Sequence, residues 1–427
     1  MSNSEWSRRE VLEVLGTGAV AVGVGAVVLD QMDRYIVGAR DRDAAVAAAS
    51  ISDTREERID LTEHTSLTLV VGAYSQAGRQ SLRSRNDVAF VQPDRSLSYV
   101  STPASEREAT NAADAADAAD VTNLSDAADG QTLPWGIDRV DADVAHEQGA
   151  TGAGVDVGIV DGGIDASHPD LAGNLADPDA DGNHRAWVDC QGEDCDYPWS
   201  DDGDHGTHVA GTVAAGEGDD GVVGVAPEAT LHALKVCSGG GGCRTSDIAD
   251  AIRHAADEGW DVVNLSLGSS AESPALQAAG QYAREAGVVL VAAAGNAGRP
   301  DSVGYPAAYE EFIAVSATDI DDGVAAFSST GPEVDVAAPG KDVCSAVRDG
   351  HGVFDGTSMA SPHVTGAVAQ LVADGYGPDE ARERLLDTAE DIGKAGDEQG
   401  AGLLDVAAAL EYDSDDDGTG DGTSCPA

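Results

Sequence analysis

Short apolar runs that predict β-strands recur between residues 155 and 316 and alternate with stretches that predict helices. The runs are nearly uninterrupted in their apolar residues, which is typical of strands buried on both faces. Strands of this kind separated by helices favour an α/β fold, with a parallel sheet covered by helices on both faces. Functional side chains are then expected at the carboxyl ends of the strands. The predicted strands cover residues 155–160, 229–236, 262–267, 288–293 and 312–316, and two of the predicted helices cover residues 246–258 and 274–286.

Three motifs carry side chains suited to nucleophilic catalysis. Ser358 lies in the run Gly-Thr-Ser-Met-Ala-Ser-Pro-His-Val (residues 356–364), which leads into an apolar stretch that predicts a helix. A serine at the start of a helix lies close to backbone N–H groups that stabilise negative charge. His205 is suited to act as its base, and Asp161, at the end of a predicted strand, is suited to orient that base. Taken singly, each residue has a structural alternative, which is a turn former for Asp161 and a helix cap for His205 and Ser358.

Taken together, the motifs around Asp161, His205 and Ser358 resemble those of the subtilisin-like serine proteases, in the same chain order. The resemblance covers nearly all of residues 130–410, and the chain as a whole resembles the secreted halophilic type, the halolysins. It implies a subtilisin-like α/β fold and hydrolysis of peptide bonds through an acyl-enzyme on Ser358. It also implies that Asn296, in Ala-Ala-Gly-Asn, holds the oxyanion together with the Ser358 N–H, a helix cap being the alternative for Asn296.

The same resemblance assigns substrate-binding residues. Ser266, Leu267 and Gly268 would pair with an extended substrate backbone, and Gly304 would lie at the base of the pocket for the residue before the cut. Glycines at these positions imply a roomy pocket that prefers large apolar residues. Two alternative functions remain, a dedicated maturation protease and a catalytically silent binding protein. The glycine-rich loop opposite would form the other edge of the cleft, or is a plain surface loop, and its candidate residues are Gly240 and Gly241.

Acidic residues outnumber basic residues by 77 to 24, which gives a formal net charge of −53. Repulsion of this size destabilises a compact chain unless salt screens it, since the Debye length falls to about 3 Å at 1 M salt. We interpret the charge as adaptation to molar salt, with an ordinary acidic surface as the alternative. The charge also argues against nucleic acid as a partner. The expected partners are protein or peptide substrates, and a monomer is expected.

Composition divides the rest of the chain. Residues 1–33 carry paired arginines before a Gly/Ala-rich run and resemble a twin-arginine export signal, which predicts a secreted protein whose signal is cleaved or retained as an anchor. Residues 34–100 mix strand and helix patterns and resemble the propeptide that inhibits such enzymes, an unrelated α+β domain being the alternative. Residues 101–129 repeat Ala and Asp and predict a disordered linker, with the processing site between residues 100 and 131. Residues 411–427 predict an acidic tail.

The chain has six cysteines, four of which form two pairs that are close in sequence. In an exported protein, close pairs favour local disulfides. Zinc ligation that starts from His184 and the first pair is the alternative. Cys344 and Cys425 are left without an assignment. The two predicted pairs are Cys190 with Cys195 and Cys237 with Cys243.

The resemblance also implies structural calcium. Gln131 and Asp170 match two ligands of the family's calcium site, and the following loop offers Glu217 and Asp219 as further candidates. A run of Asp-x-Asp-x-Asp-Gly at residues 177–182 is a second candidate, although it lacks the closing Glu of an EF-hand loop. A similar run at residues 413–418 is interpreted as part of the acidic tail. The candidate ligands of the second site are Asp177, Asp179 and Asp181.

Overall fold

The computed structural model describes residues 33–54, 57–99, 131–192, 195–216, 218, 221–239, 242–413 and 425. The predicted export signal, the Ala/Asp-rich linker and most of the acidic tail lie outside these residues. Within the described ranges, we find no helix of the length and apolar character that crossing a bilayer requires.

Residues 33–99 form a small α+β unit, as the strand and helix patterns predict. Its strands are β1 (Asp33–Ala39), β2 (Glu57–Asp60), β3 (Thr68–Tyr74) and β4 (Val88–Pro93), and its helices are α1 (Arg42–Ser50) and α2 (Gln76–Arg83). The four strands make an antiparallel sheet in the order β2-β3-β1-β4. Alanines of α1 pack on one face of this sheet, and the Asp41 side chain caps the helix by accepting from the Ala44 N–H. A further strand, β5 (Ser96–Tyr99), leaves the unit.

Residues 131–413 form the larger unit. The strands are β6 (Asp156–Asp161), β7 (Arg185–Ala186), β8 (Thr230–Lys235), β9 (Cys243–Arg244), β10 (Val262–Leu265), β11 (Leu267–Gly268), β12 (Val289–Ala293), β13 (Phe312–Thr318), β14 (Val336–Pro339), β15 (Val343–Val347) and β16 (Gly350–Phe354). The helices are α3 (Trp135–Arg139), α4 (Ala142–Glu147), α5 (His205–Ala214), α6 (Thr245–Glu258), α7 (Pro274–Glu285), α8 (Thr357–Ala373), α9 (Pro378–Asp387), α10 (Gly396–Gln399) and α11 (Val406–Ala409).

Seven of these strands make one parallel sheet in the order β14-β13-β12-β10-β6-β8-β7. Alternate residues of β6 face opposite layers of the core. Val157 and Ile159 pack with α5 and α8 on one face, whereas Val160 packs with α6 and α7 on the other. Every residue of β12 and β13 is buried. The apolar runs therefore mark strands of a covered parallel sheet, and the predicted α/β fold is confirmed.

One predicted strand is divided in the structure. The run at 262–267 breaks at Ser266, so that β10 stays in the large sheet while β11 leaves it. The reason is that β11 takes a different partner and pairs antiparallel with β5, which also pairs with β9. The result is a separate three-stranded sheet in the order β11-β5-β9. The N-terminal unit thus supplies its middle strand.

The small unit also caps two helices of the large unit. The Asp94 carboxylate accepts from the Ser246 N–H at 3.0 Å, at the start of α6. The Gln92 side-chain oxygen accepts from the Ala275 N–H at 3.0 Å, at the start of α7. These N–H groups have no partner inside their own helices, so the small unit satisfies donors that would otherwise need water. Arg34 fixes the capping carboxylate through a 2.5 Å ion pair with Asp94.

All six cysteines are paired. Cys190 with Cys195 and Cys237 with Cys243 form the two predicted local disulfides. The structure adds Cys344 with Cys425, a pair that the sequence left open and that joins β15 to the C-terminal segment. The zinc alternative is wrong, because the sulfurs of the first pair are bonded to each other. His184 is also engaged, since it contacts the Ala176 carbonyl and accepts from the Ala233 N–H.

Candidate active site

Asp161 is the last residue of β6 and is fully buried at the carboxyl edge of the large sheet. One of its oxygens accepts from the Gly162 N–H at 2.7 Å. A carboxylate that is buried here needs such donors, because burial without partners disfavours the charged form. The Asp161 carboxylate is therefore held in one orientation at the carboxyl edge of the sheet.

His205 is the first residue of α5 and lies directly over that carboxylate. Its Nδ1 donates to Asp161 at 2.9 Å to Oδ1 and 3.1 Å to Oδ2. This contact fixes the tautomer, so the proton is on Nδ1 and the lone pair is on Nε2. Nε2 is buried and has no hydrogen-bond partner among the described residues. The pair is therefore an oriented imidazole with one nitrogen able to accept a proton.

Ser358 is the second residue of α8, within the helical turn whose N–H groups have no partner in the helix. Its hydroxyl donates to the Ser266 carbonyl at 3.0 Å. The Ser266 hydroxyl in turn donates to the Ser358 carbonyl at 2.8 Å, which ties the start of α8 to the residue between β10 and β11. To be activated by an imidazole, the Ser358 hydroxyl must rotate away from the Ser266 carbonyl.

Asn296 follows β12 by three residues and lines the same cleft. Its side-chain oxygen accepts from the Thr357 N–H at 2.9 Å and from the Thr357 hydroxyl at 3.0 Å. A backbone N–H can only donate, so the atom that faces Thr357 must be the amide oxygen. The orientation of the amide is thereby fixed, with its NH₂ group on the other side. The helix-cap alternative also describes part of this contact, since Thr357 starts α8.

Acidic residues crowd the segment before His205, and basic residues neutralise two of them. Lys235 is fully buried and pairs with Asp202 at 2.6 Å, and it also contacts the Gly162 carbonyl. Arg348 pairs with Asp204 at 3.1 Å. Burial raises the pKa of Asp201 to about 6, against the effect of its hydrogen bonds. Lys235, one of the three lysines of the chain, is also the partner of Asp161 in the parallel register of β6 and β8.

Strand β5 lies in the cleft between β11 and β9. Tyr99 pairs with Leu267 and Ser98 pairs with Gly268, in antiparallel register. The Tyr99 ring stacks on the His205 imidazole, with 4.1 Å between centroids and 16° between planes. Strand β5 therefore links the two halves of the site. Its Tyr99 contacts the imidazole and pairs with Leu267. The residue before Leu267 is Ser266, whose carbonyl accepts from Ser358 Oγ. No local pattern points to Tyr99, since only the tertiary fold brings it to the cleft.

A cavity continues from this strand beneath Asn296. Gly268, Gly304 and Arg299 all line it, and the substrate-binding role of the two glycines stays a prediction. A side chain at position 304 would meet the Ser269 carbonyl oxygen at 3.3 Å, so glycine keeps this wall open. Arg299 is an exposed cation that the sequence analysis did not single out. Gly240 and Gly241 lie outside the described residues, and their role stays a prediction.

Two of the predicted calcium ligands lie in one region. The Gln131 amide contacts the carbonyl oxygens of Gly216 and Val222 at 3.1 and 3.5 Å. Asp170 accepts from the Val222 N–H at 3.0 Å and from His351 Nε2 at 2.8 Å. The Gln131 atom that faces the two carbonyls is the amide nitrogen, and the calcium roles of Gln131 and Asp170 stay predictions. His351 is a partner of Asp170 that the sequence analysis missed. Glu217 and Asp219 lie outside the described residues.

The carboxylates of the second predicted calcium loop (residues 177–182) do not converge on a common point among the described residues. Its three carboxylates are exposed, and one of them caps its own turn by accepting from the Asp179 N–H at 3.1 Å. Within the described ranges, one trio of potential metal-binding side chains brings its ligand atoms within 4.8 Å of one another, namely His168, Asp170 and His351. Both ring nitrogens of His168 already have backbone partners. The roles of Asp177, Asp179 and Asp181 stay predictions.

A buried Asp–His pair, a serine at a helix N-terminus and an oriented amide, all at one edge of a parallel sheet, define a serine hydrolase site. Comparison with known proteins then gives the family. The sequence model of the subtilase family matches residues 152–403. The chain belongs to the subtilase family, and it is a serine endopeptidase.

Three relatives illustrate the similarity. The chain is 41% identical to subtilisin E of Bacillus subtilis (strain 168) over 287 residues, which cover 66% of this chain and 72% of the relative. It is 42% identical to subtilisin DY of Bacillus licheniformis over 290 residues, which cover 66% of this chain and 100% of the relative. It is 34% identical to an alkaline protease of Shouchella clausii over 398 residues, which cover 92% of this chain and 95% of the relative.

Proposed function

We propose that this protein is an exported, salt-adapted serine endopeptidase of broad specificity, made as a precursor that its own N-terminal unit inhibits. Ser358 is the nucleophile, His205 the general base, Asp161 the residue that orients the base, and Asn296 an oxyanion donor. One observation carries the proposal. The buried hydrogen bond between Asp161 and His205 lies in a cleft whose two edges already pair with an extended strand.

In this mechanism, Ser358 Oγ attacks the substrate carbonyl as His205 Nε2 accepts its proton. The charge that develops on the carbonyl oxygen is stabilised by the Asn296 NH₂ and the Ser358 N–H, and each such donor is typically worth about 10²–10³ in kcat. His205 then donates the proton to the leaving amine, and the acyl-enzyme forms as the peptide bond breaks. A water molecule, deprotonated by the same imidazole, releases the second product. Asp161 stabilises the imidazolium and keeps its proton on Nδ1.

Residues 33–99 act as the inhibitor in this proposal. The strand register supports a specific processing site. Tyr99 pairs with Leu267, and the residue before Leu267 is Ser266, whose carbonyl is 3.0 Å from Ser358 Oγ. A substrate in the same register would place the residue after the tyrosine at the nucleophile, and on this basis we propose that processing occurs at the Val100–Ser101 bond. This proposed bond lies within the range of residues 100–131 that the sequence left open.

The pocket for the residue before the cut supports broad specificity. Gly268 and Gly304 line it, and a side chain at position 304 would approach the Ser269 and Ala294 carbonyl oxygens at 3.3 and 3.7 Å. Large apolar residues are therefore preferred before the cut, because they bury the most surface there. Ser266, Leu267 and Gly268 bind the substrate backbone, as β11 binds β5.

Export and salt adaptation rest on the sequence. The paired arginines in residues 1–33 support the twin-arginine route to the outside of the cell. The net charge of −53 supports an enzyme that needs molar salt, because its carboxylates repel one another unless counterions screen them. Such an enzyme is expected to lose structure on dilution into low salt.

Calcium binds near Gln131 and Asp170 in this proposal. The carbonyl oxygens of Gly216 and Val222 converge on the Gln131 amide, and Asp170 lies beside the same loop. The ion would be structural, since it would tie the start of the large unit to this loop. Removal of calcium with a chelator is expected to lower the unfolding temperature without changing the pH profile of activity.

The test compares the full-length precursor with its Ser358→Ala variant in molar salt with calcium, by intact mass over time. We expect the parent to lose residues 1–100 while Ser358→Ala stays whole. Ser167→Ala, at an exposed turn, controls for a serine exchange as such. Shortening of Ser358→Ala at the same rate would exclude Ser358 as the nucleophile. A parent that stays whole and leaves an unstructured protein uncut would refute the proposal.

A further inference from the structure

The side chain stacked on His205 is held at both of its ends. The Tyr99 ring covers the imidazole, and the Tyr99 hydroxyl donates to the Ser238 carbonyl at 3.4 Å. Stacked aromatic pairs add stabilisation beyond the area that they bury. The neighbouring Ser98 is exposed, so the cleft contacts the tyrosine side chain whereas the serine side chain faces solvent.

Gly162 provides the space for this tyrosine. A Cβ atom at position 162 would lie 2.2 Å from the Tyr99 hydroxyl oxygen, far inside van der Waals contact. Its other near neighbours are the Tyr99 ring and Asp201 Oδ1, both at 3.3 Å. Gly162 is not among the glycines with positive φ, so its backbone does not itself require glycine. The absence of a side chain here is therefore matched to the tyrosine and not to a turn.

The charges around the slot select against acidic side chains. Burial, together with the carboxylates of Asp161, Asp201 and Asp202, raises the pKa of Tyr99. The phenol therefore stays neutral and acts as a donor, which suits the carbonyl that it faces. A carboxylate in the same slot would meet like charges, of which only Asp202 is neutralised, by Lys235.

We infer that the cleft selects tyrosine at the second residue before the cleaved bond, through a slot formed by Gly162, His205 and the Ser238 carbonyl. The inference rests on the proposed function, in which β5 occupies the place of a substrate. Phenylalanine fits the same slot but leaves the Ser238 carbonyl without its donor. Alanine leaves the imidazole face uncovered, and glutamate is repelled.

The first experiment measures kcat/KM of the self-processed enzyme on four peptides with a chromogenic leaving group. They share the sequence Leu-Ser-X-Val, with X as Tyr, Phe, Ala or Glu. We expect the tyrosine peptide to exceed the alanine peptide by about tenfold or more, phenylalanine to lie between them, and glutamate to be poorest. Equal cleavage of all four peptides would overturn this inference while leaving the protease proposal intact. No cleavage of any peptide would refute the protease proposal itself.

The second experiment uses Gly162→Ala and reads the ratio of the tyrosine to the alanine peptide. We expect this ratio to fall at least tenfold, because the added methyl group collides with the phenol and with little else. An equal loss of kcat/KM on both peptides would mean that the substitution damages the catalytic groups, and it would overturn the inference that the slot selects tyrosine. In the full precursor, Tyr99→Ala should slow self-processing several-fold more than the matched control Ser98→Ala. Both substitutions lie in the N-terminal unit and leave the enzyme unit unchanged. Equal rates of self-processing for the two variants would therefore contradict the inference.

Discussion

Removal of the Cys344–Cys425 disulfide is expected to destabilise the enzyme about twice as much as removal of the Cys190–Cys195 disulfide. A disulfide stabilises mainly by restricting the unfolded chain, and the effect grows with the logarithm of the closed loop. The first pair spans 81 residues and the second spans 5. The chain-entropy relation gives ~4.5 kcal/mol for the long loop and ~2 kcal/mol for the short loop at 25 °C.

The substitutions are to alanine in both pairs. Cys344 is 5% exposed and packs against Ala215 and Val222, so a serine hydroxyl there would be buried without a partner. Both double variants are made in Ser358→Ala, because an active protease would digest its own unfolded chains. Urea unfolding in molar salt with calcium, followed by tryptophan fluorescence, gives the midpoint of each variant.

We expect the midpoint of the long-loop variant to fall about twice as far as that of the short-loop variant. The ratio of the two shifts is compared because the denaturant slope then largely cancels. Equal shifts, or a larger shift for the Cys190–Cys195 variant, would refute the reasoning from loop length. A Ser358→Ala parent whose mass exceeds that of the fully disulfide-bonded chain by about 2 Da would contain one reduced pair. If that pair is Cys344 and Cys425, the long-loop disulfide is excluded.

Three further outcomes are expected. Asn296→Ala should lower kcat by about 10²–10³ with little change in KM, since its amide acts on charge that exists only in the transition state; steady-state kinetics on a peptide checks this. Burial and the carboxylates of Asp94 and Glu57 raise the pKa of Asp247 to about 7, so docking of the N-terminal unit is strongest below pH 4 and weakens as the pH rises through 7. The rate of release of that unit after cleavage should rise over this range, and Asp247→Asn should flatten the profile. Arg299→Ala should lower kcat/KM for peptides with Glu before the cut relative to Leu, and equal losses on both peptides would contradict a charge effect.

The sequence predicted the parts of the protein that depend on local pattern. The strand that ends at Asp161 was identifiable because the residues from Val157 to Val160 are all buried, which leaves a short apolar run before the aspartate. The two local disulfides followed from cysteines only 5 and 6 residues apart. In each case, the information lies within a few residues of the feature that it specifies.

The features that the sequence did not predict depend on contacts between distant segments. Tyr99 and His205 have no common motif, and only the docking of β5 between β11 and β9 brings their rings together. Cys425 could not be matched to Cys344 across 81 residues by spacing. The break at Ser266 was hidden because the apolar pattern continues into β11, although that strand changes its partner.

The middle place in the sheet β11-β5-β9 must be filled by an extended backbone. Only a few residues of a substrate need to be straight, but a helix or a hairpin must first open to provide them. Segments of native proteins open with free energies that range from near zero in loops to the global stability in cores. The enzyme therefore sorts its targets by how readily their chains unravel. The rate at which the enzyme digests a folded protein then depends on the local stability of that protein's least stable segments.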